Sequence, residues 1–209
     1  MTHLAVVSGG LRQPSSTRLL ADRLTAAVQA GLSTVDVSVI ELRPLARPVT
    51  DAMLTGVPSP ELEAAFDTIA GADGMIAVTP AFNASISGMF KSFFDVLPQD
   101  ALADMPVLIA ATGGTERHSL VLEHAMRPLF SYLHAIVAPT GVYAATADFG
   151  GHREAADLTS RIEKAASDFV RLLQACGPRT RRDAFADELS EMQRLLGSSP
   201  PSGDGTVED

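Results

Sequence analysis

Short, almost uninterrupted apolar runs alternate along this chain with segments whose apolar residues recur every three or four positions. The first pattern is typical of buried strands and the second of amphipathic helices, so their alternation predicts parallel strands joined by helical crossovers. The pattern predicts strands over residues 3–8, 35–41, 74–79, 106–112 and 136–142. It predicts a first helix starting near residues 15–17, and further helices over residues 60–71, 86–97, 119–134, 153–175 and 183–196.

The strand segments predict how the sheet is covered. Runs such as GMIAVT and PVLIAAT show no alternation of apolar and polar residues, which is typical of a sheet with helices on both faces. The fold class expected is therefore α/β, a doubly wound five-stranded parallel sheet. Residues 43–60 contain four prolines and a glycine, which predicts a long irregular connection within this fold.

Length and composition indicate one main domain. A chain of 209 residues with 46% apolar content supplies one substantial core. We expect this domain to cover residues 1–178, followed by a helical extension over 179–197. Residues 198–209 are polar, rich in Pro and Gly, and acidic, so they are predicted to be a disordered tail. The basic residues Arg179, Arg181 and Arg182 are interpreted as a solvated run.

The net charge of −9 restricts the possible partners. Nucleic acids and anionic membranes would repel such a chain, so we predict neither as a partner and expect small molecules or proteins instead. No signal peptide and no apolar run long enough to span a membrane is evident, which predicts a cytoplasmic protein. The lone Cys176 fits a reducing compartment.

Three loops are expected to meet at one edge, because ligands of doubly wound folds bind beyond the carboxyl ends of the strands. The first loop lies in the stretch VVSGGLRQPSSTR, residues 6–18. Gly, Ser and Thr that lead into a helix offer free amide groups and hydroxyls, and Arg12 and Arg18 add charge, so the loop suits a phosphate. It has neither the Walker pattern nor the dinucleotide fingerprint, which favours a simple phosphomonoester.

The other two loops follow the strands that end near Thr79 and Thr112. Pro80 stiffens the second loop, while Phe82 and Asn83 place a flat apolar surface beside an amide, which suits a planar heteroaromatic ring. Gly113 and Gly114 in the third loop allow a ligand to approach the backbone. After the second loop, the apolar residues Phe90, Phe93, Phe94 and Leu97 have helical spacing and fit either the chain's own core or a contact between subunits.

Together these residues resemble the NADPH-dependent FMN reductase family, over about residues 3–175. The stretch TPAFNASISGMFKSFFD resembles the family pattern Pro-x-Tyr-Asn-x-Ser-x-x-Gly-x-x-Lys-x-x-x-Asp. The matching residues are Pro80, Phe82, Asn83, Ser85, Gly88, Lys91 and Asp95. The first loop and the stretch ATGG add to the likeness, and GGTERHSLVLEHAMRPLFSYLHA is similar to an actinobacterial-type branch of the family.

The resemblance implies a flavodoxin-like fold that binds FMN and transfers a hydride to it from NADPH or NADH. It implies phosphate binding by Gly9, Gly10, Arg12, Ser15 and Thr17. It implies contacts with the flavin ring or ribityl chain from Pro80, Ala81, Phe82 and Asn83 on one side and Thr112, Gly113 and Gly114 on the other. It further implies a homodimer or homotetramer and a flavin-dependent monooxygenase as recipient of the reduced flavin.

Two positions depart from the family pattern. Gly9-Gly10 stands where Gly-Ser is common, and Phe82 replaces the usual Tyr, so each change removes one hydroxyl and weakens the expected retention of FMN. No residue is assigned as a chemical catalyst or metal ligand, because hydride transfer between stacked rings needs alignment and the five histidines have no metal-ligand spacing.

Three alternatives remain open. One is a reductase that retains its FMN and reduces quinones or azo compounds, and another is a non-enzymatic flavodoxin-like electron carrier. A regulatory or structural protein on the same fold is the third, because fold does not fix function.

Overall fold

The computed structural model describes residues 1–179, 192 and 194, and one compact unit spans Met1–Arg179. The strands are β1 (Thr2–Ser8), β2 (Val35–Glu41), β3 (Gly74–Phe82), β4 (Ser85–Ile86), β5 (Pro106–Gly113), β6 (Ile136–Val137) and β7 (Val142–Ala145). The α-helices are α1 (Ser16–Ala30), α2 (Ala46–Thr55), α3 (Pro60–Ala70), α4 (Gly88–Val96), α5 (Arg127–Tyr132) and α6 (His152–Cys176). The extension and tail predicted over 179–197 and 198–209 lie outside the described residues except for Arg179, Met192 and Arg194, and stay predictions.

The strands form one parallel sheet in the order β2-β1-β3-β5-β6. β7 also pairs with β5, further along that strand toward its carboxyl end. In the centre of the sheet, Val6 of β1 lies opposite Val39 of β2 and Ile76 of β3. The two-residue strand β4 pairs antiparallel with the end of β3. This arrangement confirms the predicted flavodoxin-like, doubly wound sheet, and it brings the carboxyl ends of β1, β3, β5 and β7 to one edge.

Two separate apolar cores cover the two faces of the sheet. Helices α1 and α6 pack on one face, and α2 to α5 pack on the other. The second core contains Phe90, Phe93 and Phe94, whose side chains are all but inaccessible to solvent. The rings of Phe90 and Phe94 stand 4.8 Å apart, within the range of favourable aromatic pairs. The apolar stripe of α4 therefore packs inside the chain and is not free for a subunit contact.

The prediction of an irregular connection over residues 43–60 is wrong, because α2 occupies its middle. Pro48 lies in the first turn of α2, where a backbone N–H would have no helical acceptor, so the proline does not prevent the helix. Val49 and Ala52 are buried one turn apart against the core, and Gly56 ends the helix at a φ of 72°.

The strand predicted over residues 136–142 is split in two. β6 ends at Val137, and β7 runs from Val142 to Ala145. Pro139 between them has no N–H to donate to the sheet. The carbonyls of Ala138 and Pro139 accept hydrogen bonds from the Arg127 guanidinium instead, at 3.1 and 3.3 Å.

The helix predicted over residues 119–134 is not a uniform α-helix. Leu122–Met126 form a π-helical turn that leads directly into α5. Such a turn accommodates one extra residue within a helix. Among the residues that the structure describes, no helix is both long and apolar enough to cross a bilayer.

Arg179 is not a solvated residue, contrary to the prediction for the basic run. Its guanidinium donates to the carbonyls of Ala72, Ala101 and Ala103 at 2.9 to 3.2 Å. Its backbone N–H donates to Asp73 Oδ1 at 3.0 Å. Burial lowers the pKa of the guanidinium, although nearby Asp104 and Asp73 oppose that shift. Arg179 thus fastens the end of the compact unit; Arg181 and Arg182 lie outside the described residues.

Candidate functional site

A cleft of about 710 Å³ opens at the carboxyl edge of the sheet, where the loops after β1, β3, β5 and β7 meet. Of the predicted site residues, it is lined by Gly10, Arg12, Ser15, Thr17, Pro80, Ala81, Phe82, Thr112, Gly113 and Gly114. Gly9 is buried below it and donates its N–H to Val78 O at 2.8 Å. Asn83 is exposed at a turn and does not line the cleft. The structure thus brings together all three predicted loops.

The first loop ends in a capped helix. Ser15 is the N-cap of α1, and its Oγ accepts a hydrogen bond from the backbone N–H of Arg18 at 3.1 Å. The hydroxyl proton of Ser15 stays free for a ligand in the cleft. The amides of Ser16 and Thr17 belong to the first turn, where a helix offers no internal acceptor. This end of the cleft therefore presents several donors at the positive end of a helix, which is the arrangement that binds phosphate groups.

Gly10 lies close to the N-cap residue of α1, Ser15. A Cβ at this position would overlap Ser15 Oγ, closer than real Cβ atoms approach another heavy atom. With a side chain at this position, Ser15 would have to move away from its N-cap geometry. The absence of a side chain at Gly10 leaves room for the Ser15 hydroxyl in its N-cap position.

Two buried hydroxyls connect the first and third loops. Thr17 Oγ1 and Thr112 Oγ1 are 2.8 Å apart, and both residues are only 3% exposed. One hydroxyl proton occupies the bond between the two oxygens, and the other is left to donate elsewhere. The pair fixes the start of α1 to the end of β5.

We expect Thr17→Val to lower the free energy of unfolding by about 1–2 kcal/mol, because Thr112 Oγ1 then stays buried without its partner. Thr112→Val should have a similar effect. The double variant should cost less than the sum of the single ones, since both polar groups are then gone. Urea unfolding of the four proteins without flavin measures this coupling, and strictly additive losses would show that the hydroxyl pair contributes nothing.

The second loop is a tight hairpin. Phe82 and Ser85 pair across it, and Asn83 and Ala84 form its two-residue turn with φ of 46° and 66°. Positive φ at both positions is typical of a type I′ turn, in which Asn-Gly is preferred. The turn leaves the ring of Phe82 44% exposed in the cleft.

Ala84→Gly should therefore raise the free energy of unfolding by about 0.5–1 kcal/mol. Ala at positive φ costs ~1–2 kcal/mol, and the greater freedom of Gly in the unfolded chain offsets part of the gain. The matched control is Ala64→Gly on the exposed side of α3, which should lower stability by about 1 kcal/mol. Thermal unfolding compares the two; a loss of stability in Ala84→Gly would contradict the turn geometry.

A buried tyrosine supports the third loop. The Tyr143 hydroxyl donates to the carbonyl of Thr115 at 2.6 Å and passes so close to Gly113 that a Cβ there would overlap it. Burial, and to a lesser degree the charge of Asp148, raises the pKa of Tyr143, so the hydroxyl keeps its proton at neutral pH. Gly114 has no heavy atom within 4 Å of its would-be Cβ, so its backbone faces open space.

A fourth loop, which was not predicted from the sequence, also reaches the cleft. Thr146 and Phe149, which follow β7, line the cleft as well. Asp148 holds this loop: its carboxylate accepts from the backbone N–H of Ala145 at 2.7 Å and from Arg161 at 2.9 Å. The pairing of Ala145 with Gly113 places the loop beside the third loop. Leu11, Pro14, Ser16 and Leu19, which also line the cleft, lie within the first loop and the start of α1.

Arg18 is turned away from the cleft. Its guanidinium pairs with Asp22 at 2.7 Å and with Glu41, and the hydrogen bond to Asp22 is the main reason why its pKa is raised. His118 is exposed and does not line the cleft. Among residues 1–179, 192 and 194, no three His, Cys, Asp or Glu side chains are grouped so that they could hold a metal ion.

Known proteins of similar sequence are flavin reductases. The family described as NADPH-dependent FMN reductase matches residues 2–150. A Pseudomonas aeruginosa protein named FMN reductase (NADPH) is 43% identical over 164 residues, covering 78% of this chain and 88% of that protein. The NADH-dependent FMN reductase SfnE of Pseudomonas putida is 40% identical over 174 residues, covering 83% and 93%.

A solved structure supports the same assignment. The X-ray structure of an oxidoreductase from Corynebacterium diphtheriae superposes with a TM-score of 0.80 at 48% identity and covers 84% of this chain and 98% of that one. The matched family region contains all four loops of the cleft. The chain belongs to the NADPH-dependent FMN reductase family.

Proposed function

We propose that the chain is an NAD(P)H-dependent FMN reductase that binds FMN in the cleft at the carboxyl edge of the sheet. The observation that carries this proposal is that one cleft has a phosphate-type loop at one end and glycine and aromatic walls at the other. FMN has the same two ends, a phosphate and a planar ring, joined by a polar chain. The relatives named above support both the reaction and the flavin.

The phosphate end fits a dianion. Arg12 is the one charged residue among the described residues that line the cleft, and it stands beside the free donors of Ser15 and the first turn of α1. The buried hydroxyls of Thr17 and Thr112 offer one further proton. A charged guanidinium, a helix N-terminus and hydroxyls form charge-assisted hydrogen bonds to phosphate oxygens.

The ring end fits a flat apolar group. The exposed ring of Phe82 offers an aromatic surface, and the open backbone at Gly114 allows a ring to approach closely. Phe149 adds a second aromatic side chain, and the Arg23 guanidinium stands 5.6 Å from the centre of its ring. Pro80 and Ala81 complete the wall at the end of β3.

Bound FMN supplies the hydride-accepting ring, so the chemistry belongs to the cofactor. The described lining residues include no Asp, Glu, His, Lys or Cys, so this chain's side chains serve to align, not to transfer protons. Arg12 and Ser15 fix one end of the ligand, and the second and third loops fix the plane of the other. Accurate alignment of two reactants is itself a large part of catalysis.

The oxidation of NADPH and NADH tests the proposal, with protein first freed of bound flavin. Oxidation that requires added FMN and saturates with it is the outcome we expect. No oxidation with either nucleotide, with FMN bound, would overturn the proposal and favour an electron carrier. Turnover that needs quinone or azo dye while FMN stays bound would instead assign the chain to the acceptor reductases.

We further propose that reduced flavin is passed to a monooxygenase and that the chain forms a homodimer or homotetramer. Leu54, Leu120 and Tyr132, which are 61% to 81% exposed, are the side chains we propose for the subunit contact. A cytoplasmic location fits the exposed free thiol of Cys176, which persists in a reducing compartment. We also propose that residues 1–178 form the reductase domain. Light scattering on the purified protein measures its subunit number.

A further inference from the structure

Arg161 in α6 supports the cleft without lining it. Its guanidinium donates to the carbonyl of Tyr143 at 2.5 Å, to Asp148 Oδ1 at 2.9 Å and to Asp157 Oδ2 at 3.0 Å. Asp157 is exposed, whereas Asp148 is buried. The described residues that line the cleft do not include Arg161, so it acts on a bound flavin only through the groups that it holds.

One of these groups is the carboxylate of Asp148. This residue stands between Thr146 and Phe149, the two residues of the fourth loop that line the cleft. Its Oδ2 accepts from the backbone N–H of Ala145 and its Oδ1 accepts from Arg161, so both oxygens are used. Removing one partner of a buried ion pair is strongly destabilising, because the other charge then stays buried alone. Arg161 therefore holds the fourth loop in place.

The other group is the backbone of Tyr143 in β7. Arg161 fixes the Tyr143 carbonyl, and the Tyr143 hydroxyl donates to the carbonyl of Thr115 and so supports the third loop. A single guanidinium is thus connected to both the third and the fourth loop. These loops belong to the end of the cleft where the flavin ring is expected, whereas Arg12 and Ser15 belong to the phosphate end.

We propose that Arg161 is a positioning residue for the flavin ring, which acts through Asp148 and Tyr143 on the two loops at the ring end of the cleft. The inference rests on the proposed flavin site and adds to it a residue outside the cleft. The planar guanidinium presents several donors in a fixed geometry, which an ammonium group does not. Outer support of this kind keeps the groups that touch a ligand in their productive positions. Arg161 should therefore affect the ring and leave phosphate binding alone.

Titration of the flavin-free protein with FMN and with riboflavin tests the inference, because riboflavin has the ring without the phosphate. Arg161→Met should raise both dissociation constants by the same factor, about three- to tenfold. At saturating FMN, kcat for NADPH oxidation should also fall, because the ring is less well aligned. Arg161→Lys keeps a charge beside Asp148, so it should fold even if Arg161→Met does not, and both constants should rise by a smaller equal factor.

Two control variants separate positioning from stability. Asp157→Asn removes the exposed partner of Arg161 and should change each constant by less than about twofold. Arg179→Met removes another arginine that holds three carbonyls, but these precede β3 and β5 at the opposite edge of the sheet. It should lower the unfolding temperature and leave both dissociation constants unchanged.

Unchanged constants in folded Arg161→Met and Arg161→Lys would overturn the inference. A loss for FMN alone would also overturn it, because Arg161 would then act on the phosphate. An equal loss in Arg179→Met would show that lower stability of the fold is the cause. Wild-type protein that binds neither flavin would refute the proposed function and this inference with it, whereas normal binding of FMN by the wild type and by all variants would refute the inference alone.

Discussion

Arg12→Gln should raise the dissociation constant of FMN about ten- to a hundredfold. Arg12 is the charged residue that the flavin cleft offers to a phosphate, and a hydrogen bond to a charged group contributes about 1.5–3 kcal/mol. Each 1.4 kcal/mol corresponds to about a factor of ten in affinity. Arg12 is exposed and at the surface of a loop, so the variant should unfold at nearly the same temperature as the wild type. Titration of the flavin-free protein with FMN measures the change.

Riboflavin provides the control for Arg12, because it has the ring and ribityl chain of FMN without the phosphate. Its affinity should be the same, within about twofold, in the wild type and in Arg12→Gln. Arg12→Lys keeps the charge but loses the planar pair of donors, so it should bind FMN with intermediate strength. Equal losses for riboflavin and FMN would show that Arg12 shapes the ring end of the cleft and does not bind the phosphate.

Gly113→Ala should weaken FMN binding about tenfold, equivalent to ~1.4 kcal/mol, and destabilise the fold by about 1–3 kcal/mol. The new Cβ would overlap the Tyr143 hydroxyl, which must then leave the carbonyl of Thr115. Because this bond supports the third loop, its loss moves the wall against which the flavin ring is expected to lie. Thermal unfolding and an FMN titration measure the two effects.

A double variant tests whether the tyrosine is the cause. Tyr143→Phe alone should cost about 1 kcal/mol for the lost hydrogen bond. Combined with Gly113→Ala, it removes the overlapping oxygen, so the double variant should be more stable than Gly113→Ala alone. Gly114→Ala, where the backbone is open, should leave the unfolding temperature unchanged. A double variant with the summed losses of both single variants would contradict the proposed clash.

The main features of the sheet were predictable from the sequence because its central strands β1, β3 and β5 are buried and appear as continuous apolar runs. The edge strand β2 is largely exposed and alternates apolar with polar residues. β1, β2 and β5 lie within one residue of their predicted bounds at each end. Parallel connection also predicts that the carboxyl ends meet, so the meeting of Arg12, Phe82 and Gly113 around one cleft followed from topology.

The errors arise where tertiary contacts decide the local structure. From composition alone, Pro48 predicts an interruption of any helix. It lies in the first turn of α2, where it does not interrupt the helix. The split between β6 and β7 lies at Pro139, which has no N–H to donate, and Arg127 donates to the carbonyls of Ala138 and Pro139 there. Arg179 lies in a basic run, and only the fold shows that three carbonyls surround it.

The fourth loop shows how an error in a strand hides part of a site. The sequence predicts that the last strand ends at residue 142. Thr146 and Phe149 would then lie several residues past the edge of the sheet where the ligand binds. In the structure β7 continues to Ala145 and delivers both residues to the cleft. The placement of Gly9 and Asn83 outside the cleft likewise depends on backbone direction, which residue type does not determine: Gly9 continues the pairing of β1, and Asn83 occupies the hairpin turn.

A crystal structure of the protein with FMN would decide whether the first loop holds the flavin phosphate. We expect the phosphate within hydrogen-bond distance of Arg12, Ser15 and the first amides of α1, with the ring between Phe82 and the backbone at Gly113 and Gly114. FMN bound at another surface, or in this cleft with its phosphate directed toward Gly113, would contradict the site and the reaction derived from it.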